Sequence, residues 1–288
     1  MAVNMRSANR TVQQAGSDAA SSRWMEWLAR AGLVARGVNY VLIGILAVQI
    51  GLGGGGKEAD RNGALHAIAE HPGGTLVLWL LAVGFGGLSV WRLAEAAYGQ
   101  ADPDGHKATK RLASLARGIF YAFVCVSIAG FLLSVGGQSS SNKQSKDFTA
   151  RLMGYTGGRW LVLLIGVIVT GAAVGIVVGA IRKTFRKHLK LGQMSPQTRK
   201  VVETLGAIGY AARGVVFGVV GVFLAVAAIN FDPKQSQGID GALRKLATTP
   251  LGPWLLIAVA LGLVTFGVYS CCEARWRKVR PGRGTQHA

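Results

Sequence analysis

Six long apolar segments alternate with shorter polar ones along the chain. Each holds at least 21 residues, enough for a helix rising 1.5 Å per residue to cross a hydrocarbon core about 30 Å thick. None alternates with period two over its length, which argues against a β-barrel. The pattern predicts an all-α fold of six transmembrane helices, at residues 31–52, 75–97, 112–135, 159–181, 204–229 and 252–272.

The first, third and fifth segments carry one signature near their starts: Ala-Arg-Gly, a β-branched residue, a free position and an aromatic residue. It contains Arg36, Arg117 and Arg213. From each arginine to the glycine that opens the next apolar segment the distance is 38, 41 and 39 positions. This periodicity indicates three internal repeats. Because each repeat has two membrane passes, the copies are parallel, which predicts a pseudo-threefold bundle.

The odd-numbered loops resemble one another. Each starts polar or Gly-rich, continues into a short amphipathic stretch, and ends in a Gly or Pro turn before the next apolar segment. We expect a short helix lying on the outer membrane surface in each of these loops. The stretches are residues 64–69, 148–153 and 242–247.

Charge sets the expected orientation. The chain is half apolar, only 16% charged, and carries a net charge of +19. Nineteen basic residues lie in the tails and even loops against nine in the odd loops, so both termini should face the cytoplasm. Because the basic residues lie between apolar segments, they favour contact with acidic phospholipids over nucleic acid.

The triplicated signature on two-helix repeats resembles the bacterial family called domain of unknown function 1206. The resemblance covers about 29–99, 110–182 and 206–275. It implies this fold and a bacterial inner (plasma) membrane, and it supplies no mechanism. The predicted organisation places a tail with an interfacial lead-in, a basic loop and a basic tail around the repeats, at 1–28, 183–203 and 276–288.

The three signature arginines are the candidate binding residues. They lie about five to eight residues inside their segments, a depth of roughly 7 to 12 Å. An arginine there either snorkels to the headgroups or faces inward and pairs. The glycine after each one favours close approach of another helix. Tyr40, Tyr121 and Phe217 follow four residues later on the same helix face, where they either cover the guanidinium or simply pack.

Two carboxylates are the candidate ion-pair partners. Position 21 after the turn glycine is Glu95 in the first repeat and Glu273 in the third, but Gly179 in the second. We expect Glu95 and Glu273 to pair with two of the three arginines as structural contacts. Glu26 and Glu203 are more peripheral alternatives. The arithmetic leaves at least one arginine unpaired, and such a cation on the axis would form an anion or lipid-phosphate site.

The sequence predicts no enzyme. All five histidines fall in loops or tails, and no nucleophile elbow, metal motif or paired membrane carboxylates are present, so we expect no catalytic residues, no metal and no cofactor. One hypothesis is transport or permeation of a small, anionic solute through an inner ring of arginines. The alternative is a scaffold or accessory subunit that binds other membrane proteins, acidic lipids or further copies of itself.

Overall fold

A computed structural model describes residues 23–53, 59, 61–99, 107–133, 141–248 and 251–278. Both predicted tails, up to residue 22 and from residue 279, lie outside the described residues. The long helices in the described ranges are α1 (Arg23–Gly51), α3 (Gly74–Tyr98), α4 (Ala108–Leu133), α6 (Gly158–Ile181), α7 (Pro196–Ile229) and α9 (Gly252–Trp276). The short helices are α2 (Arg61–Ala69), α5 (Ser141–Met153) and α8 (Ile239–Ala247).

The six long helices confirm the predicted fold class, since all six are long and apolar enough to span a membrane. The three short helices fall where amphipathic stretches were predicted. Two helices begin about two turns before their predicted apolar segments, α1 at Arg23 and α7 at Pro196. Ser195 caps α7 by accepting the Thr198 N–H at 3.2 Å, and Pro196 is preorganised for a first helical position.

Paired glycines start two of the long helices. Gly73 and Gly157 have φ of 79° and 80°, in the left-handed region that favours glycine. The next residues, Gly74 and Gly158, lie directly against the carbonyl oxygens of the preceding short helices, where no side chain fits. At these two predicted turns the start of each long helix therefore packs directly against the backbone of the short helix before it.

The long helices pack in the order α6, α7, α9, α1, α3, α4. Each contacts its neighbours in that order closely, but the two end members, α4 and α6, are not a closely packed pair among the described residues. The bundle is therefore an open ring, and we call the opening the α4–α6 gap. Since α4 and α6 are the two long helices of the second repeat, the gap lies inside that repeat.

The contacts between repeats follow a threefold pattern. Each signature glycine allows close approach of a helix from another repeat: a Cβ at Gly37 would lie 2.7 Å from Cys271, at Gly118 2.8 Å from Leu93, and at Gly214 2.5 Å from Val177. The three side chains met are all nineteen positions after the glycine that begins their helix. The register is the same at all three interfaces.

The contacts within repeats do not follow that symmetry. In the first repeat a Cβ at Gly32 would lie 2.5 Å from Leu88, and in the third a Cβ at Gly209 would lie 2.5 Å from the Cα of Phe266. The equivalent position in the second repeat is Ala113. On the partner helices, Gly84 and Gly262 also make close contacts, whereas the second repeat has Ile168. We expect the larger side chains at both positions to keep α4 and α6 apart.

The segment between α6 and α7 closes one end of the bundle, which we call the basic end. Here α1, α4 and α7 begin and α3, α6 and α9 end. Phe185 is buried and stacks on Tyr210 at 5.5 Å between ring centroids. The backbone N–H of Lys190 donates to the Trp276 carbonyl at 2.8 Å, and that of Lys278 donates to the His188 carbonyl at 2.9 Å. Much of the predicted basic loop is thus fixed against the helix ends.

Candidate anion-binding site

A cavity of about 630 Å³ lies between α4 and α6, toward the basic end. We call it the arginine cavity. Its walls come from α1, α3, α4, α6 and α7, from the segment after α6, and from the residue that follows α9. The lining residues are Arg36, Arg92, Ala116, Arg117, Phe120, Tyr121, Ala172, Gly175, Ile176, Gly179, Thr184, Phe185, Lys187, His188, Tyr210, Arg213, Phe217 and Arg277.

The lining is strongly basic. Five arginines and Lys187 face the cavity, and no Asp or Glu is among the described residues that line it. Two carboxylates lie behind the wall, Glu95 and Glu273, each bound to lining arginines. With these two included, the six cations leave a net charge of four positive around one cavity. Such a field attracts an anion.

Arg36 is the most completely satisfied of the signature arginines. It is 4% exposed, and its Nη2 lies 2.6 Å from Glu273. Its Nε donates to the Ser270 hydroxyl at 2.9 Å, and that hydroxyl donates to the Leu33 carbonyl. Glu273 also binds Arg277. One carboxylate thus holds a signature arginine and the residue that follows α9.

Glu95 binds a different arginine from the ones the sequence suggested. Its Oε2 lies 2.6 Å from Arg92 and 3.3 Å from the Ser114 hydroxyl. Arg92 is three residues before Glu95 on the same helix, so it competes directly for the carboxylate. The third repeat has Ser270 at the Arg92 position, which leaves Glu273 available to Arg36.

The peripheral carboxylates bind partly exposed cations of the basic end. Glu26 binds Arg30 at 2.6 Å. Glu203 binds Arg186 at 3.0 Å and Arg199 at 2.9 Å. Among the described contacts, neither reaches a signature arginine.

Arg213 has aromatic neighbours in place of a carboxylate. Its guanidinium lies 5.2 Å from the ring centroids of Phe217 and Phe266, and 5.7 Å from that of Tyr40. Its Nε is buried without a hydrogen-bond partner in the described structure. The threefold register explains the missing carboxylate, because the position that would match Glu273 is Gly179. Cation–π contacts stabilise the charge but leave its N–H groups available.

Arg117 differs from the other two because its side chain is exposed at the α4–α6 gap. No described carboxylate lies within ion-pair distance of it, since Glu95 is bound to Arg92. The cavity therefore contains two signature arginines, Arg117 and Arg213, whose charges are not neutralised within the described structure.

The three aromatic residues of the signature occupy different positions relative to the cavity. Tyr121 lines the cavity together with Arg36. Phe217 lines it beneath Arg213, whereas Tyr40 packs behind Arg213 and edge-on to Phe266 at 4.7 Å. Arg213 is thus covered by an aromatic residue of its own repeat, Phe217, and by Tyr40 of the first repeat.

Burial and the positive charges around the cavity change the pKa values of two groups outside the membrane-spanning helices. Burial, with the positive charges of Arg277 and Lys187, lowers the pKa of His188 to about 2. This imidazole is therefore neutral at physiological pH. Burial and the charge of Arg92 lower the pKa of Arg277 to about 10, which leaves it cationic.

Comparison with known proteins supports the triplication. The family model described as Domain of Unknown Function (DUF1206) matches residues 31–99, 112–183 and 208–277. The chain belongs to the DUF1206 family. It is 31% identical over 249 residues to "Uncharacterized protein YxxB" of Bacillus subtilis (strain 168), covering 86% of this chain and 89% of that one. No solved structure matches the chain.

Within the DUF1206 repeats, sequence reasoning identified part of the site and missed the rest. The three signature arginines, Tyr121 and Phe217 all line the cavity. Arg92, Lys187, His188, Tyr210 and Arg277 were not predicted. Arg92 carried a signal, since a charge inside an apolar segment is unusual. Lys187, His188 and Arg277 carried none, because only folding of the basic end brings them to the cavity.

Proposed function

We propose that the protein binds an anionic ligand in the arginine cavity, as the binding step in its movement across the membrane. One observation carries the proposal: six cations line a single cavity without an acidic residue among its described lining, and two of the five arginines, Arg117 and Arg213, have no carboxylate partner in the described structure. Guanidinium groups that lack a carboxylate partner favour an anion, and phosphate and carboxylate oxygens match their geometry.

The location follows from charge. The excess of basic residues in the tails and even loops favours an orientation in which the basic end and both termini lie on the cytoplasmic side of a bacterial plasma membrane. The cavity would then receive its ligand from the cytoplasmic half of the bilayer. Acidic phospholipids would contact the exposed lysines and arginines around it.

The test uses the broken symmetry of the second repeat. Glu273 of the third repeat binds Arg36 of the first, so a carboxylate at position 179 should bind Arg213. Gly179→Glu and Gly179→Gln have nearly the same size and differ in charge. An added Cβ, the same in both variants, meets only the Thr184 hydroxyl, at 3.0 Å, which is exposed and donates to the Gly179 carbonyl. Both variants should therefore fold alike.

Binding of inorganic phosphate and sulfate to the purified protein is measured first, followed by flux of the same anions into proteoliposomes. We expect Gly179→Glu and Arg213→Gln to weaken binding about tenfold or more and Gly179→Gln to preserve it. Equal effects of the Glu and Gln variants, or no binding of any anion by the wild-type protein, would contradict the proposal. In the second case the arginines stabilise the fold, and the scaffold hypothesis gains support.

A further inference from the structure

The arginine cavity does not have a complete protein wall. The two helices that border it, α4 and α6, are not a closely packed pair in the described structure. The other two repeats close the same position with glycine pairs, which the second repeat lacks. The cavity therefore opens sideways, between two helices that are long and apolar enough to span a membrane.

The face of α6 that borders the gap is smooth and unfilled. Gly175 lines the cavity, and Gly171 lies one turn farther from the basic end on the same helix face. A Cβ added at either glycine would meet no atom within 4 Å. Farther from the basic end than Arg117, the two helices expose apolar residues: Phe120 and Phe123 on α4, and Ile168 on α6.

The cavity itself contains polar hydrogen-bond donors that no described residue satisfies. Arg92 and Arg277 are 3% and 6% exposed, line the cavity, and each has an Nε without a partner in the described structure. Together with Arg213 they make three arginines with unsatisfied buried Nε atoms. Donors in this state favour a ligand with several acceptor oxygens, such as a phosphate group.

We infer that the ligand is a membrane amphiphile with a phosphate headgroup. The headgroup occupies the arginine cavity, and the acyl chains leave through the α4–α6 gap along Gly175 and Gly171. The inference rests on the proposed function and names its ligand class. It explains why a cavity of net charge four positive has an apolar exit instead of a polar one. It also accounts for the exposure of Arg117, which lies where headgroup and bilayer meet.

The key variant is Gly171→Leu, which obstructs the chain path without changing any residue that lines the cavity. Leucine is also a better helix former than glycine, so the helix should be retained. Ala258→Leu is the matched control, because Ala258 is exposed on α9 and does not line the cavity. The probes are phosphatidic acid, with binding followed by native mass spectrometry, and inorganic phosphate, with binding followed by calorimetry.

For the wild-type protein we expect phosphatidic acid to bind and to be displaced by inorganic phosphate. Gly171→Leu should weaken phosphatidic acid binding about tenfold, the change expected when one or two methylenes lose apolar contact, and leave phosphate binding unchanged. Ala258→Leu should change neither.

Other outcomes separate this inference from the proposed function. If phosphate binds but phosphatidic acid does not, or if Gly171→Leu leaves lipid binding intact, the lipid inference is overturned and the anion site stands. If neither probe binds, both fail. Lipid binding that survives Arg213→Gln would reflect the basic surface and would overturn the inference. A dimer cross-linked through cysteines placed at Phe123 would show that a second copy fills the gap, which also overturns it.

Discussion

The first and third repeats differ from the second in how their two long helices meet. In the first and third, a glycine on each helix allows backbone contact, and a glutamate sits 21 positions after the turn glycine. In the second, Ala113 and Ile168 replace the glycines and Gly179 replaces the glutamate. The long helices of the first and third repeats are therefore in close contact and carry a glutamate, whereas those of the second repeat are separated and their site is cationic.

The difference shows how a repeated unit acquires a site. The contacts between repeats have the same register at all three interfaces. The bundle therefore does not depend on contact between the two long helices of the second repeat. That repeat can then lose its internal packing and its carboxylate together. Open space and uncompensated charge arise at one place because both losses affect the same end of the same helix pair.

The largest expected effect comes from removing Glu273, the carboxylate of the third repeat whose counterpart in the second repeat is Gly179. Glu273→Gln should strand Arg36 and Arg277, both buried, and lower the free energy of unfolding by about 3–5 kcal/mol. Thermal unfolding of the purified protein in detergent measures this.

Glu203→Gln is the control. Glu203 binds cations that are 37% to 44% exposed, so solvent screening should limit the loss to at most about 1 kcal/mol. Equal losses for the two variants would mean that the Glu273 network is no more important than a surface ion pair.

The glycine interfaces should give the next largest effect. A methyl group at Gly209 would lie 2.5 Å from the Cα of Phe266, which only a helix shift can relieve, so Gly209→Ala should destabilise by about 1–3 kcal/mol. Gly171→Ala in the second repeat meets open space and should be neutral or stabilising by up to about 1 kcal/mol. The comparison fails if both substitutions shift the unfolding temperature in the same direction.

Restoring the glycines should close the second repeat. In Ala113→Gly combined with Ile168→Gly, α4 and α6 should approach to about 8–10 Å between axes, and anion binding should fall about tenfold as the cavity narrows. Spin labels at Phe123 and Val167 report the distance. Val174→Gly, an exposed site on α6, controls for lost helix propensity. Unchanged label distances would show that something other than these two side chains holds the gap open.

The smallest expected effect is a pH dependence from His188. Its folded-state pKa of about 2 lies below the unfolded value of about 6.5, so between these pH values the unfolded chain binds a proton that the folded protein does not. Stability should be complete above about pH 6.5 and fall by roughly 1 kcal/mol by pH 5.5. His188→Gln should remove this slope, as followed by unfolding at several pH values. A slope unchanged in the variant would assign it to other groups.

The fold could be predicted almost entirely, and the site only in part. Segment length and composition report membrane spans directly, and the triplicated signature identified the helices that bear Arg36, Arg117 and Arg213. The expected Glu95 contact missed its target because Arg92, on the same helix, reaches the carboxylate first. His188 and Arg277 join the cavity only through backbone hydrogen bonds between the segment after α6 and the end of α9.

By itself the sequence determined the six helices, the three parallel repeats, and which repeat lacks a carboxylate. These depend on hydrophobic length and periodicity, which are local properties. Only the tertiary structure decided that the three arginines line one cavity and that the ring opens between α4 and α6. It also decided which ion pairs form, Glu273 with Arg36 and Glu95 with Arg92. Those outcomes depend on competition among side chains distant in sequence and on how closely two backbones can approach, and neither is written in any single segment.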